Sequence, residues 1–280
     1  MVWQAGRFRI DLKQARVMGI VNITPDSFSD GGAHADTASA LRHCEALLAQ
    51  GAHILDIGGE STRPGSLAVP LEIERERVLS VLREAVKFGV PLSVDTSKPE
   101  LMREVLDAGA DIVNDIWALR QPGALDAVAQ HPACGVCLVH MHGDPRTMQV
   151  APMDGDALVQ VSQFLRERLA ALGAAGIAAD RVVLDPGIGF GKTVAQNFAL
   201  LARQIELQSL ERPLLLGWSR KSALGAVTGI ARARERISPS VAAALLAVER
   251  GARIVRVHDV RETVEALAVW QAMCQQNKPV

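Results

Sequence analysis

Short runs of β-branched and aliphatic residues recur along the chain, and stretches with helical spacing separate them. After an alternating start over residues 2–12, which predicts a hairpin, eight runs read as strands: 16–21, 53–58, 91–96, 111–116, 136–141, 181–186, 213–218 and 253–258. Their apolar positions are consecutive, as expected of strands buried on both faces. Helical character follows each run. Between 37 and 49, for example, Leu41, Cys44 and Leu48, flanked by Ala38 and Ala49, fall at helix-like spacing. Gly51, Gly89, Gly109, Gly176 and Gly251 stand just past such segments, where a left-handed residue stops a helix. Eight βα units predict an α/β chain whose parallel strands close into a barrel, or else an open doubly wound sheet, because spacing does not reveal strand order. No linker or composition shift divides the chain, so residues 1–280 read as a single domain, with a short N-terminal β-hairpin over 1–15 and the barrel over 16–275. The long connections, 22–36, 59–70, 142–156 and 187–197, all follow strands. They gather at the C-terminal ends of the strands, where barrel enzymes build their sites.

Composition narrows the function classes. The chain is 49% apolar and 22% charged, with 30 Lys and Arg against 31 Asp and Glu and a formal charge of -1. That is an ordinary globular composition, and bulk charge gives no support to nucleic-acid or membrane-surface binding. No run approaches the roughly 18 apolar residues of a membrane span, and Arg7, Arg9 and Asp11 leave no room for a signal core. Cytoplasmic location is therefore the expectation, and four cysteines are too few for a disulfide scaffold of this length. Cys134 and Cys137 form a lone CxxC without the second ligand pair of a zinc site, and read as small residues at a strand start.

The informative residues are polar and sit at strand ends. In order they are Asn22, Asp56, Asp95, Asn114 with Asp115, His140 with His142, Asp185, Ser219 to Ser222, and Arg256 with His258 and Asp259. One of these would be a helix cap; a polar group on nearly every strand, always at the same end, is a site. Asp95, Asn114 and Asp185 suit a flat heterocycle rich in N–H donors and acceptors. Lys221 and Arg256 bring positive charge, and Ser219 or Ser222 hydroxyls, beside the helix start after the seventh strand. A doubly charged leaving group such as pyrophosphate fits there, with Asn22, Asp56 or a loop carboxylate helping to hold Mg2+. Asp56 reads equally well as a local turn organiser, and Asp115 and Asp259 as structural partners of neighbouring basic groups. Residues 187–193 (GIGFGKT) imitate a nucleotide loop, but Pro186 stands where a P-loop needs Gly and Lys192 where a dinucleotide fingerprint does. His140 and His142 imitate a metal pair with only His258 as a further nitrogen ligand, and read as structural or substrate-contacting.

Eight segments occur in one order: NITPDSFSDGG at 22–32, DIGGESTRPG at 56–65, SVDTSKPE at 93–100, NDI at 114–116, VHMHGDPRTMQ at 139–149, LDPGIGFGK at 184–192, SRKSALG at 219–225 and RVHDVRETVEA at 256–266. Together they resemble the dihydropteroate synthases of the bacterial folate pathway, from about Val17 to Leu267. The resemblance implies a (β/α)8 TIM barrel and a transferase. Its reaction condenses 6-hydroxymethyl-7,8-dihydropterin pyrophosphate with p-aminobenzoate, giving 7,8-dihydropteroate and pyrophosphate by an SN1-like path. It further implies Mg2+ as cofactor, a homodimer, and sulfonamides as competitors of p-aminobenzoate. Carried over by motif, Asp95, Asn114, Ile116, Met141, Asp185, Gly217 and Lys221 are implied to bind the pterin. Thr62, Arg63, Pro64, Phe28, Phe190, Lys221 and Ser222 are implied to bind p-aminobenzoate. Asn22, Thr62, Arg63, Arg256 and His258 are implied for pyrophosphate, with Asn22 on the metal; Asp95, Asp185, Lys221, Arg256 and Asn22 carry the catalytic roles. Asp36 lies beside the first loop. Ile188, where Phe is common, and His142 depart from the family pattern without touching a polar role. A non-catalytic pterin-binding paralogue would lose a loop or anion residue, and a pterin-dependent methyltransferase would not need Arg256 and His258 as an anion site.

Overall fold

Alternation of large apolar and polar residues at the start of the chain builds a hairpin, β1 (Val2–Ala5) against β2 (Phe8–Asp11), turning at Gly6 and Arg7. The computed structural model describes residues 1–23, 32–61 and 65–276, with backbone only at 32–36. Trp3, Ala5, Ile10 and Leu12 are buried, and the Trp3 indole donates to the Arg181 carbonyl at 2.9 Å. Arg7 pairs with Asp111 at 2.9 Å, and Asp111 also accepts from the Leu92 amide at 3.1 Å. Asp111 and Arg181 both lie just before strands, so the hairpin covers the end of the molecule from which those strands start.

Eight parallel strands then close on themselves: β3 (Arg16–Asn22), β4 (Ile54–Gly58), β5 (Leu92–Asp95), β6 (Ile112–Asp115), β7 (Gly135–Val139), β8 (Val182–Asp185), β9 (Leu214–Leu216) and β10 (Ala252–Val257), with β10 paired to both β9 and β3. All eight expected strands are present. Closure decides between the two architectures the sequence allowed: this is a (β/α)8 barrel. Six of the eight strands are one to three residues shorter than expected, while polar residues such as Asp95, Asn114 and Asp185 stay in the ladder.

The helices are α1 (Gly32–Ala49), α2 (Leu71–Ala85), α3 (Pro99–Asp107), α4 (Ala124–Ala129), α5 (Ala157–Ala174), α6 (Val194–Ala202), α7 (Ser222–Thr228), α8 (Ile237–Glu249) and α9 (Val260–Gln276). Helix α1 begins earlier than its apolar spacing indicated, and its buried face centres on Ala40, Cys44 and Leu47. The helix-to-strand corners turn through the left-handed region as expected, for instance at Gly109 with φ of 102°. One apolar core lies between barrel and helices. A second fills the barrel, with Trp3 and Leu12 at the hairpin end, Met18, Ile54, Ile112, Cys137 and Val183 within, and Ile116, Met141 and Phe190 toward the other end. The strand C-termini are thus the open face.

Candidate active site

Strand register sets the first half of the site. Parallel pairing places Asn22 beside Gly58, Gly58 beside Asp95, and Asp95 beside Asn114, one row around the barrel mouth. Gly58 is the gap in that row: a Cβ there would stand 3.5 Å from the Asp95 Cβ and 3.7 Å from the Asn22 Oδ1. Two residues deeper on β4, Asp56 is fully buried. Arg256 reaches across from β10, donating Nε to Asp56 at 2.5 Å and Nη2 to Asp95 at 2.8 Å, while the Asn114 amide donates to Asp56 at 3.4 Å. The guanidinium is what makes two buried carboxylates tolerable side by side. Burial nonetheless raises Asp95 above the usual carboxylate range, with Arg256 opposing the shift. The buried Oδ1 atoms of Asp56 and Asn114 have no hydrogen-bond partner among the described residues. A buried acceptor left unpaired at a mouth is a place for a ligand N–H.

The second half comes from β8, β9 and the turns after them. Asp185 ends β8 and accepts from the Gly187 amide at 2.7 Å. Burial pushes it up to about 6, with that amide and Lys221 opposing. Gly217 leaves room beside it: a Cβ there would lie 3.9 Å from the Asp185 Oδ2. The Lys221 ammonium stands 4.2 Å from the centre of the Phe190 ring. Ile116 and Met141, both buried, join Phe190 in the apolar wall. Ser222, exposed, opens α7.

Lys221 is aimed by strain next door. Arg220 holds φ of 60°, costly for a residue with a Cβ, and four contacts secure it. Its amide donates to the Ser240 hydroxyl at 2.8 Å, its carbonyl accepts from Arg236 at 3.0 Å, and its guanidinium grips Asp259 at 2.5 and 3.1 Å. On its other side, the Ser219 hydroxyl lies 2.9 Å from the His258 Nδ1 and accepts from the His258 amide at 3.1 Å. One left-handed residue therefore orients both Lys221 and His258.

The structure thus places Asn22, Asp95, Asn114, Ile116, Met141, Asp185, Phe190, Gly217, Lys221, Ser222, Arg256 and His258 at the strand C-termini or in the turns just beyond them. Phe28, Thr62, Arg63 and Pro64 lie outside the described residues, as does the side chain of Asp36. Two readings need correction. Asp56 is no turn organiser: it is buried, its Oδ2 is taken by Arg256 and Asn114, and only its Oδ1 is left for a ligand. Asp115 hydrogen-bonds backbone, accepting from the Trp117 and Leu119 amides at 2.9 and 2.7 Å, and Arg120 and Arg168 act on it only through space. His140 is buried, as its structural reading expects, and pushed down to about 2 by burial and by Lys192, while His142 is exposed. Asp259 partners Arg220 as expected. Cys134 and Cys137 are buried and unbonded.

Sequence reasoning missed the anchor beneath the second loop. Lys98 bridges Glu60, just after β4, and the buried Glu74 in the first turn of α2. Burial raises Glu74 and Lys98 opposes it. Glu60 and Lys98 both stand inside motifs that the sequence singles out, but nothing in a single chain says that they meet.

The model of the pterin-binding enzyme family matches residues 18–258. The dihydropteroate synthase of Neisseria meningitidis serogroup B is 51% identical over 277 residues, spanning 97% of each chain. Among solved structures, the Xanthomonas albilineans dihydropteroate synthase with 4-aminobenzoic acid has a TM-score of 0.91 and 51% identity, covering 97% of this chain and 96% of that one. The Burkholderia cenocepacia enzyme complexed with 7,8-dihydropteroate has a TM-score of 0.90 and 50% identity, covering 98% and 97%. The Yersinia pestis enzyme in a sulfonamide drug complex has a TM-score of 0.92 and 46% identity, covering 98% and 100%.

Proposed function

The chain belongs to the pterin-binding enzyme family, and from that premise we propose how its barrel mouth carries out the dihydropteroate synthase reaction. The enzyme is a transferase that joins 6-hydroxymethyl-7,8-dihydropterin pyrophosphate to p-aminobenzoate, releasing 7,8-dihydropteroate and pyrophosphate. The observation that carries the residue assignment is the unpaired Asn114 Oδ1 between two buried carboxylate strands, Asp95 and Asp185. Its acceptors suit the amino and ring N–H groups of a pterin, which would satisfy them. Ile116 and Met141 would line the ring, and Gly217 would let it approach Asp185.

The C–O bond from the pterin methylene breaks with its electron pair going to pyrophosphate, and the electron-rich ring spreads the positive charge. Asp95 and Asp185 favour that cation, being fixed and largely shielded from water. The p-aminobenzoate nitrogen then forms the C–N bond and gives up its proton to the bulk. Phe190, Lys221 and Ser222 receive the p-aminobenzoate, and Arg256, His258 and Asn22 receive the pyrophosphate. On Arg256 the donor for that anion is Nη1, which has no hydrogen bond among the described residues.

The residues fit a Mg2+ ion that arrives with its pyrophosphate better than a resident one. Asn22 offers a single hard oxygen at the mouth, and no three His, Cys, Asp or Glu converge into a cage among the described residues. When bound, such an ion would neutralise charge developing on the departing pyrophosphate. A homodimer and a cytosolic setting belong to the same reading. The four cysteines form no disulfide, as suits a reducing compartment. No helix of the described residues is long and apolar enough to cross a membrane.

The test is product formation followed by mass detection. Dihydropteroate should form only with p-aminobenzoate present, and a sulfonamide should suppress it; pterin binding without product would favour the non-catalytic paralogue. The pH profile tests the carboxylate roles. Asp185 must be ionised to hold the pterin and the cation, so kcat/KM should rise with pH through about 6. Stability should run the other way. Asp115 and Asp185 both titrate at about 6 in the fold, above their value of about 4 when unfolded. Their contribution is full below pH of about 4 and is lost as pH climbs through about 6. An activity profile flat from about pH 5 to about pH 8 would remove Asp185 from this role.

A further inference from the structure

Two motifs remain without a task, the glycine-rich turn at 187–193 and the His140-x-His142 step, and in the fold they meet. Lys192 is only 2% exposed and His140 only 5%. The Lys192 Nζ lies 2.8 Å from the Gly187 carbonyl, 3.1 Å from the Phe190 carbonyl and 2.9 Å from the His140 Nδ1. These are its three nearest acceptors, with the His140 carbonyl farther off at 3.5 Å, and the imidazole, neutral at this depth, supplies a lone pair. His140 is itself fixed edge-on against the Phe164 ring at 4.9 Å.

The two carbonyls are the ends of one tight turn, closed by the Phe190 amide donating to Gly187 at 3.1 Å. That turn is pressed onto the end of β7. A Cβ on Gly187 would fall 1.8 Å from the His140 carbonyl oxygen, and one on Gly191 2.4 Å from that of His142. Its opposite side carries Phe190, over which the Lys221 ammonium sits, and Gly189, where a Cβ would come 3.2 Å from the Lys221 Cδ. The backbone of Asp185 is placed by β8, and its carboxylate touches the turn at the Gly187 amide, 2.7 Å away.

We infer that Lys192, seated on His140, is a positioning residue for the p-aminobenzoate side of the site, setting the height of the Phe190 turn beneath Lys221. The inference rests on the functional reading above. The buried amine, brought down to about 7 by burial with Asp185 opposing, works by hydrogen-bonding the Gly187 and Phe190 carbonyls inward, which turns the Phe190 ring outward. Pterin recognition rests mainly on Asp95 and Asn114, which the strands place, and feels the turn only through the Gly187 amide on Asp185 and the charge of Lys192, so its loss is the smaller one.

The test uses the whole chain carrying Lys192→Met, with KM for p-aminobenzoate measured separately from the dissociation constant for the dihydropterin pyrophosphate. The expected result is a rise of about tenfold in the p-aminobenzoate KM with pterin affinity within about threefold of wild type. His140→Leu should share the defect, whereas His140→Gln, whose amide oxygen can accept from Lys192, should restore the KM. An unchanged p-aminobenzoate KM, or an equal loss for both substrates, overturns the inference. If Lys192→Met does not fold, equal KM values in His140→Leu and His140→Gln do the same. A wild-type chain without p-aminobenzoate-dependent turnover overturns the functional reading itself, and this inference with it.

Discussion

Lys221→Ala lowers kcat/KM by roughly a hundred- to a thousandfold while leaving the Tm nearly unchanged. The magnitude is that of removing one preorganised donor from a developing charge, about 3–4 kcal/mol. The ammonium is shared by the two halves of the site: it lies over Phe190 and acts on Asp185, whose charge it favours. Its loss therefore removes a contact from each substrate and lifts the Asp185 titration further. The fold does not depend on it, since Lys221 is only half-buried and the Arg220 clamp that aims it remains in place. Steady-state kinetics with each substrate varied, beside a thermal melt, separate the two effects. A variant with unchanged kcat/KM would sink the assignment of this site.

Arg256→Met removes activity and costs stability as well, about 3–5 kcal/mol, because it strands two buried carboxylates beside each other. In a chain of this size that is a fall of about 10 °C in Tm. One of Asp56 and Asp95 must then take up a proton to stay buried, so the gap from wild type should narrow as the buffer is made more acidic. Adding Asp56→Asn to Arg256→Met should recover most of the stability and none of the turnover, since the pyrophosphate side still lacks its guanidinium. A single variant with a Tm within about 2 °C of wild type would mean that the carboxylates do not need Arg256.

Much of the fold was legible because its signals are local. A β-branched run bounded by Gly announces a strand whatever it pairs with, and all eight were found that way. Closure was not legible, since pairing of Ile254 with Arg16 and of Val255 with Leu216 is a relation between distant segments. The site was legible as a set of types at one end of the strands: Asp95, Asn114 and Asp185 needed no partner to look misplaced in apolar runs. What those groups do to each other was hidden. Asp56 looked like a ligand or a turn residue until Arg256 was seen against it, and Asp115 looked like a salt-bridge partner until its turn supplied two amides. Lys192 misled in a different way. A lysine after glycines suggests phosphate, but here the glycines admit strand carbonyls, and the carbonyls, not an anion, receive the charge.

The ion pair between Asp56 and Arg256 spans 200 positions of sequence, nearly the whole barrel. On a ribosome, Asp56 and Asp95 leave the exit tunnel long before the strand that neutralises them. An incomplete barrel would have to bury two like charges without compensation, so the early strands gain little by packing tightly before β10 arrives. The residue proposed to meet the leaving group would therefore also be the latch that makes assembly wait for the end of synthesis. A nascent chain halted before Ala252 should stay open and sensitive to protease, and one carrying β10 and α9 should not.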